Sequence, residues 1–267
     1  MKGKVVIITG ASSGIGKALV RKYAAEGAIV VMAARREEQL QKLAQEIKSK
    51  GTEVLPVATD VSKESDCRHL INKTVEVYGR IDVLINNAGV SMRAVFEDLE
   101  LDVLHQVMDI NFWGTVQCTH AAFPYLLKSK GSVVGVSSVA GFQGLPGRTG
   151  YSASKAAINN FLDVIRQETQ KKGLHVLLAC PGFTSSDIRK TALLKDGTQQ
   201  GETPRNESKM MSAEEVAEHI YRAVLRRKRT LILTRVGKMT VMLKKCCPRL
   251  LDKIVYKTMA REPNSPF

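Results

Sequence analysis

The sequence lacks any long hydrophobic run. No apolar stretch in the 267 residues approaches the ~18 that a membrane-spanning helix needs. The first residues, MKGKVVIITG, enter an apolar strand pattern at once and lack the hydrophobic region and cleavage site of a signal peptide. These features argue against a membrane-spanning or secreted protein and favour a cytosolic one.

Disulfide and metal-binding patterns are missing as well. The cysteines are odd in number and form no CxxC motif, which favours reduced thiols; they are Cys67, Cys118, Cys180, Cys246 and Cys247. The five histidines show neither HxxxH nor mixed Cys/His spacing, so we expect no metal site.

Linkers, internal repeats and low-complexity segments are also absent, and the composition is that of a globular protein. Hydrophobic residues make up 44% of the chain and charged residues 25%, which is enough for a sizeable core. We therefore expect one catalytic domain over residues 1–235, followed by a C-terminal appendage over residues 236–267.

Apolar runs with the length of buried strands alternate with helical patterns six times along the chain. Strands are predicted at 4–9, 28–34, 54–58, 81–85, 132–136 and 175–179, with a last one at 231–233. Helices are predicted between them, among them 36–50, 62–78 (capped by Ser62 or Ser65), 101–128 and 151–171. This order predicts an α/β fold: a doubly wound (Rossmann) parallel sheet of about seven strands with helices on both faces, joined by right-handed crossovers.

One connection is much longer than the others. Residues 183–210 are polar and show no clear period. A loop of this length in a compact domain is usually functional, so we interpret it as a substrate loop. Ser212 and Glu215, which follow it, have the spacing of a helix capping box.

A glycine-rich turn, Gly10-Ala-Ser12-Ser13-Gly14-Ile15-Gly16, follows the first predicted strand and precedes the first helix. Strand, glycine turn and helix in this order form a phosphate-binding site, in which the helix N-terminus meets the anion. Gly10 would permit the tight turn, Gly14 the close approach of the backbone, and Gly16 close helix packing. The spacing is GxxxGxG and differs from the common dinucleotide motif GxGxxG.

The end of the second predicted strand indicates which dinucleotide binds. An acidic residue there would bind the ribose hydroxyl of NAD, but this chain has Ala34 followed by Arg35 and Arg36. Two guanidinium groups could bind the additional phosphate of NADP. The sequence therefore favours NADP(H), the alternative being that the arginines form a solvated helix start.

The stretch from 135 to 157 contains Ser138, Tyr151 and Lys155. On a helix, Tyr151 and Lys155 are four residues apart and share a face. A nearby ammonium lowers the pKa of a phenol, and a serine hydroxyl can hold a substrate oxygen, so the three suit proton transfer to a carbonyl oxygen. Taken alone, the pair is also typical of a solvated helix surface.

With these elements in order, residues 3–235 resemble the short-chain dehydrogenase/reductase family. The matching motifs are 9–16 (TGASSGIG), 60–61 (DV), 86–89 (NNAG), Asn111, Ser138, 151–155 (YSASK) and 181–182 (PG). The resemblance implies that Tyr151 is the general acid/base, that Ser138 orients the substrate oxygen, and that Lys155 lowers the tyrosine pKa and binds the nicotinamide ribose. Asn111 would anchor a water of the proton relay, unless it is a polar helix residue bonded to backbone. The other cofactor contacts implied are Asp60, Val61, Asn87, Ala88, Gly89, Pro181, Gly182 and Thr184.

The resemblance also implies the reaction, which is hydride transfer between a nicotinamide and a carbonyl or secondary alcohol. Phe142, Gln143 and Phe183 fall where such enzymes line their substrate pocket, which suggests a lipophilic or steroid-like substrate, although loop aromatics often serve packing. A 3-oxoacyl-carrier-protein reductase and a non-catalytic NADPH-binding scaffold or sensor are the alternatives. A homo-oligomer, dimer or tetramer, is implied as well.

Positive charge is concentrated near the C-terminus, where residues 226–261 hold twelve Lys or Arg and one acid. Apolar residues recur at helical spacing over 236–259, and Pro248 should divide the segment into two short helices. Membrane-associated members of the hydroxysteroid-dehydrogenase-like branch carry a similar appendage. The apolar stripe could pack on the core, pack on a partner subunit or lie in a membrane interface; binding to nucleic acid is the weakest interpretation, and we expect none.

Overall fold

Seven parallel strands form one sheet at the centre of the computed structural model, which describes residues 1–203 and 210–267. The strands are β1 (Val5–Thr9), β2 (Ile29–Ala34), β3 (Val54–Ala58), β4 (Val83–Asn86), β5 (Ser132–Val136), β6 (His175–Cys180) and β7 (Thr230–Ile232). Their order is β3-β2-β1-β4-β5-β6-β7, so the direction of winding reverses between β1 and β4. The predicted doubly wound sheet is confirmed.

Nine helices are described: α1 (Gly14–Ala25), α2 (Glu37–Lys48), α3 (Glu64–Tyr78), α4 (Leu101–Met108), α5 (Gly114–Lys128), α6 (Thr149–Glu168), α7 (Ala213–Leu225), α8 (Arg235–Cys246) and α9 (Pro248–Ala260). The strands are buried on both faces because helices cover each side. One core lies between the sheet and α1, α2 and α7. The other lies between the sheet and α3, α5 and α6.

Two helix predictions need correction. The predicted helix over 101–128 is interrupted by a π-helical turn, Asp109–Trp113, because its main-chain hydrogen bonds skip one position there. Neither Ser62 nor Ser65 caps α3, whose N-cap is Lys63, because the Ser62 hydroxyl donates to Asp60 Oδ1 (2.8 Å) instead. The capping box of Ser212 and Glu215 is confirmed at the start of α7.

The C-terminal segment folds into two helices that meet at Pro248, as predicted, with the proline in the first turn of α9. Leu251 and Met259 of α9 are buried, whereas six other large apolar side chains of the pair are exposed. The segment therefore combines one packed face with one open face. Within the two described ranges, no helix is both long and apolar enough to span a bilayer.

Candidate active site

A cleft of about 620 Å³ opens at the carboxyl edge of the sheet, where the winding reverses. This is the place where doubly wound sheets bind their ligands. Twelve residues that the sequence singled out for a cofactor line it: Gly10, Ser12, Ser13, Gly14, Ile15, Arg35, Arg36, Asp60, Val61, Asn87, Ala88 and Gly89. The sequence motifs thus converge on one cavity.

The glycine turn is held open by contacts that leave no space for side chains. A Cβ atom at Gly10, whose φ is +65°, would lie 2.9 Å from Ala88 Cα. One at Gly16 would lie 2.1 Å from the main-chain oxygen of Gly10, so Gly16 packs helix against turn and does not line the cleft. The bare turn next to a helix N-terminus fits the phosphates of a dinucleotide.

The loop after β4 is tied to the end of β1. Thr9 Oγ1 accepts from the main-chain N–H groups of Asn87 and Ala88, each at 3.0 Å, and Asn87 Nδ2 donates to the Thr9 oxygen (2.9 Å). Because these bonds cross between neighbouring strands, they fix the wall of the cleft. A Cβ at Gly89 would lie 3.0 Å from Asn111 Oδ1 and 3.4 Å from Lys155 Nζ, so Gly89 connects the cleft to the candidate catalytic residues.

Arg36 lies at the mouth of the cleft and is exposed. Its guanidinium donates to Ser12 Oγ through Nε (3.3 Å) and Nη2 (3.0 Å). A second cavity of about 480 Å³ adjoins the first and is lined by Ser12, Arg36, Lys17 and Lys42, among others. Glu46 and Asp187 line this second cavity as well, so three cationic side chains there face two acidic ones.

Ser138, Tyr151 and Lys155 come together on one side of α6. Ser138 follows β5; its hydroxyl accepts from the N–H of Ala140 (3.1 Å) and is close enough to the Tyr151 phenol to lower its pKa. Lys155 is buried, with its Nζ 5.7 Å from the centre of the Tyr151 ring. The same ammonium donates to the main-chain oxygen of Val136 (2.9 Å). The three residues thus form one cluster.

The electrostatics of the cluster differ from the sequence-based expectation. Burial raises the pKa of the Tyr151 phenol above its ordinary value and outweighs the hydrogen bond from Ser138 and the charges of Arg148 and Arg189. Burial also lowers the pKa of Lys155 to about 8. The expected lowering of the phenol pKa by Lys155 is therefore absent in this state, because desolvation disfavours both charged forms. A protonated phenol is the form that can donate a proton.

The lowered pKa of Lys155 makes a prediction about stability. Its folded pKa of about 8 lies below the ordinary 10.5, so between these values the unfolded chain binds a proton that the native protein does not. Stability from this group therefore increases as the pH rises through that window. We expect the unfolding free energy of the unliganded wild type to gain up to about 3 kcal/mol relative to Lys155→Met across the window. Denaturant unfolding of both proteins at several pH values measures this, and a constant difference would contradict it.

Asn111 lies in the π-helical turn and is fully buried. Its amide donates to the Val90 oxygen (3.0 Å) and to Ser154 Oγ (2.9 Å) and accepts from the Val90 N–H (2.8 Å). Thr115 Oγ1 donates to its main-chain oxygen (2.8 Å). Asn111 therefore braces the cleft wall against α6, as a polar helix residue bonded to backbone does. Its role as a water anchor stays a prediction.

Six residues implied as cofactor contacts do not line the cleft: Gly16, Tyr151, Lys155, Pro181, Gly182 and Thr184. Thr184 is buried, and its hydroxyl donates to the Gly182 oxygen (3.2 Å). A Cβ at Gly182 would lie 2.6 Å from Thr234 Oγ1, so this glycine allows the turn after β6 to meet the start of α8. The turn after β6 thus holds Pro181, Gly182 and Thr184 outside the open part of the cleft.

The residues proposed to line a substrate pocket have separate environments. Phe142 packs against the core on the α3, α5 and α6 side. Gln143 is buried, and its Nε2 donates to Asp252 Oδ1 of α9 (3.1 Å). Phe183 is 44% exposed. Only Phe183 thus presents an open apolar surface, and packing accounts for Phe142.

Sequence reasoning missed most of the far wall of the cleft, which comes from the interpreted substrate loop. Ser186, Asp187, Ile188, Lys190, Thr191, Leu193, Gly197 and Gln199 all line it. Leu193 anchors the loop, since its N–H donates to the Ser91 oxygen (2.9 Å) and its oxygen accepts from the Arg93 N–H (2.7 Å). The length of the loop was the only sequence signal of a functional role. It did not indicate that the loop lines the dinucleotide cleft.

Comparison with known proteins agrees with this geometry. Residues 4–196 match the family model described as short chain dehydrogenase. The chain is 35% identical over 271 residues to 11-beta-hydroxysteroid dehydrogenase A of Sesamum indicum, covering 99% of this chain and 78% of that protein. It is 35% identical to a dehydrogenase/reductase SDR family protein 7-like of Dictyostelium discoideum, covering 96% and 82%.

Solved structures with the same fold are also found. An alcohol dehydrogenase from Thermococcus sibiricus, complexed with 5-hydroxy-NADP, superposes with a TM-score of 0.77 at 25% identity, covering 87% of this chain and 96% of that one. A short-chain dehydrogenase/reductase from Burkholderia phymatum, in complex with NAD, has the same fold with a TM-score of 0.84 at 24% identity, covering 93% and 95%. The chain therefore belongs to the short-chain dehydrogenase/reductase family, as an oxidoreductase that acts on CH–OH groups with a nicotinamide dinucleotide, NAD or NADP.

Proposed function

We propose that the protein is an NADP(H)-dependent oxidoreductase that interconverts a lipophilic carbonyl compound and its secondary alcohol. The observation that carries this is the joining of two sites at Gly89, with the glycine-lined cleft on one side and Lys155 Nζ on the other. Ser138 and Tyr151 lie on the same cluster. A dinucleotide site and a proton donor are thereby adjacent.

In this mechanism the nicotinamide, when bound, supplies or accepts the hydride. The Tyr151 phenol donates its proton to the substrate oxygen as negative charge develops there. The Ser138 hydroxyl, held by the Ala140 N–H, orients that oxygen and stabilises its charge. Lys155 provides positive charge next to the Tyr151 ring, which stabilises the phenolate, the form that accepts the proton of the alcohol in the oxidising direction.

The preference for NADP(H) is supported by the arginines at the end of β2. The Arg36 guanidinium donates to Ser12 Oγ beside the glycine turn and is exposed at the mouth of the cleft, where a 2′-phosphate could reach it. We expect Arg36→Ala to weaken NADPH binding roughly tenfold or more, because a charge-assisted hydrogen bond is lost, and to leave NADH binding nearly unchanged. Fluorescence titration with both cofactors measures this, with Arg68→Ala of α3 as the exposed-arginine control. Equal losses for NADPH and NADH would contradict the proposal.

A lipophilic substrate is supported by the exposed Phe183 and by the relatives, several of which are named 11-beta-hydroxysteroid dehydrogenases. A panel of steroid ketones, small aliphatic ketones and 3-oxoacyl thioesters, each with NADPH or NADH, tests the function through the nicotinamide absorbance. We expect turnover with NADPH and the bulky apolar ketones. Turnover restricted to the 3-oxoacyl thioesters would favour a carrier-protein reductase. The absence of turnover with every carbonyl compound of the panel would favour a non-catalytic sensor.

We further propose that residues 1–235 hold the catalytic site and that the α8–α9 pair contacts a membrane surface peripherally. Large apolar side chains of the pair are exposed: Val236, Met239, Met242, Leu250, Ile254 and Tyr256. Exposed cations surround them, among them Lys238, Lys244, Lys245, Arg249, Lys253 and Lys257. Apolar burial combined with attraction to anionic head groups is how an amphipathic helix binds an interface.

Sedimentation with vesicles tests this contact. We expect the wild type to bind vesicles rich in anionic phospholipid, with weaker binding at high salt because the attraction is screened. Met239→Gln/Ile254→Gln should lower the bound fraction, whereas the matched pair Val77→Gln/Leu225→Gln, exposed elsewhere, should not. Equal binding of both double variants would show that the α8–α9 surface is not the contact.

A homo-oligomer is also part of the proposed function. Leu101, Trp113 and Val164 are exposed on or beside α4, α5 and α6, the long helices through which such an assembly would form. A partner subunit that covered these side chains would remove their apolar surface from water.

A further inference from the structure

The last twenty residues of the chain pack against the loop that leads into α6. Leu251 and Met259 of this segment are buried, and the ring of Phe267 lies 5.6 Å from that of Tyr256. A Cβ at Gly147 would lie 3.3 Å from Phe267 Cε1, so chain end and loop are in close contact. The C-terminal segment is therefore exposed and basic on one side and contacts the loop before α6 on the other.

A buried group of charges lies at the centre of this contact. The Glu262 carboxylate is 3.3 Å from Arg148 Nη2 and 3.8 Å from Arg93 Nη2. The three side chains are 5%, 11% and 8% exposed, respectively. Burying charges costs desolvation energy that their attraction only partly offsets, so such a cluster is a poor source of stability. It does, however, fix the relative position of the segments that carry it.

Both arginines belong to segments that border the site. Arg148 is the N-cap of α6, three residues before Tyr151, and its main-chain oxygen accepts from the Ser152 N–H (2.8 Å). Its positive charge also acts on the phenol. The Arg93 N–H holds Leu193 of the loop that forms the far wall of the cleft.

The two segments also contact each other. The Ala94 N–H donates to the Gly147 oxygen (3.1 Å), and the Gly150 N–H donates to Met92 Sδ (3.2 Å). Glu262 therefore binds two segments that also contact each other, the start of α6 and the strand-like segment 92–94. None of these contacts is local in sequence.

We propose that Glu262, near the C-terminus, is a positioning residue of the active site. Its buried carboxylate holds Arg148 and Arg93 and thereby orders residues 143–152. These residues in turn place the Tyr151 phenol. Residues 248–267 are then a structural part of the catalytic site, although they lie outside the proposed catalytic domain. This goes beyond the proposed function and does not depend on which carbonyl compound is reduced.

Hydrogen exchange of the full-length protein tests the claim without a substrate. In Glu262→Gln we expect the amides of 143–152 to exchange about tenfold faster, while the peptides of β1 and α1 remain protected. The matched control is Glu168→Gln, an exposed glutamate at the other end of α6, which should leave 143–152 unchanged. Faster exchange confined to 248–267 would overturn the proposal, since Glu262 would then hold only its own segment.

Kinetics with a carbonyl substrate of the panel supply a second readout. A positioning role predicts a fall of about tenfold in kcat for Glu262→Gln with little change in the NADPH KM, because geometry at the phenol is disturbed and the cofactor cleft is not. If Glu262 acts through Arg148, the same substitution should have little further effect in Arg148→Met. Full additivity of the two effects would contradict this.

Glu262→Asp covers the case in which the glutamine variant does not fold. The aspartate keeps the charge on a shorter side chain. The amide exchange rate at 143–152 should therefore lie between the rate in the wild type and the rate of an unprotected loop. Wild-type exchange at 143–152 together with wild-type kcat in the aspartate variant would contradict the positioning role, because the shorter side chain could not hold both arginines as Glu262 does.

Discussion

Replacing Tyr151 by Phe is expected to lower kcat by about 10²–10⁴-fold, the usual contribution of a positioned general acid or base. Burial raises the pKa of the phenol above its ordinary value, so it holds its proton near neutral pH and can donate it to a developing alkoxide. Phenylalanine keeps the ring and its packing but has no proton to give. Steady-state reduction of the best carbonyl compound of the panel measures the loss.

The same variant should bind NADPH nearly as tightly as the wild type does, because phenylalanine keeps the ring and most of the residues that line the dinucleotide cleft lie elsewhere. Tyr125→Phe in α5 is the matched control, since it removes a phenol hydroxyl away from the cluster and should retain full activity. A Tyr151→Phe enzyme with wild-type kcat would exclude the phenol as the acid. If the variant lost NADPH binding together with activity, the loss of activity could not be attributed to proton transfer by Tyr151. That result would also contradict the proposed mechanism.

Adding a single methyl group at Gly16 is expected to lower both the unfolding free energy and the NADPH affinity. The Cβ of Gly16→Ala would lie 2.1 Å from the Gly10 oxygen and 2.7 Å from Asn87 Nδ2, so the backbone of the glycine turn must move. Overpacking of this kind costs about 1–3 kcal/mol or more of unfolding free energy. The displaced turn should also lose most of its NADPH affinity, which denaturant unfolding and fluorescence titration measure separately.

Gly144→Ala provides the control for this experiment. A Cβ at Gly144 meets nothing within 4 Å, so the same methyl group enters open space. We expect its unfolding free energy and NADPH affinity to remain close to those of the wild type. Similar stability and affinity in Gly16→Ala would mean that the turn is not held as tightly as the contacts indicate.

Much of the fold and the cofactor cleft could be predicted because their signals are local. A buried parallel strand needs a continuous apolar run, and β1 and β2 have one. A turn that must lie against Ala88 and a helix must be glycine, so Gly10 and Gly16 were recognisable. Twelve predicted residues consequently lie on the wall of one cavity.

Features that depend on long-range contacts could not be read in this way. The π-helical turn leaves the helical spacing of 101–128 almost unchanged, so no residue pattern indicated the interruption at Asn111. Arg148 and Glu262 are 114 positions apart, and neither stands in a motif. The pKa of Tyr151 followed burial rather than the neighbouring ammonium, because desolvation depends on the packed structure and cannot be estimated from spacing.

A crystal structure of the protein with bound NADP⁺ would show whether the dinucleotide site and the proton donor meet. We expect the adenosine end beside Arg36 and Ser12, and the nicotinamide ring beside the Tyr151 hydroxyl and the Lys155 amine, reached past Gly89. A dinucleotide bound in the cleft with its nicotinamide directed away from Tyr151, or a phenol that faces away from the ring, would contradict it.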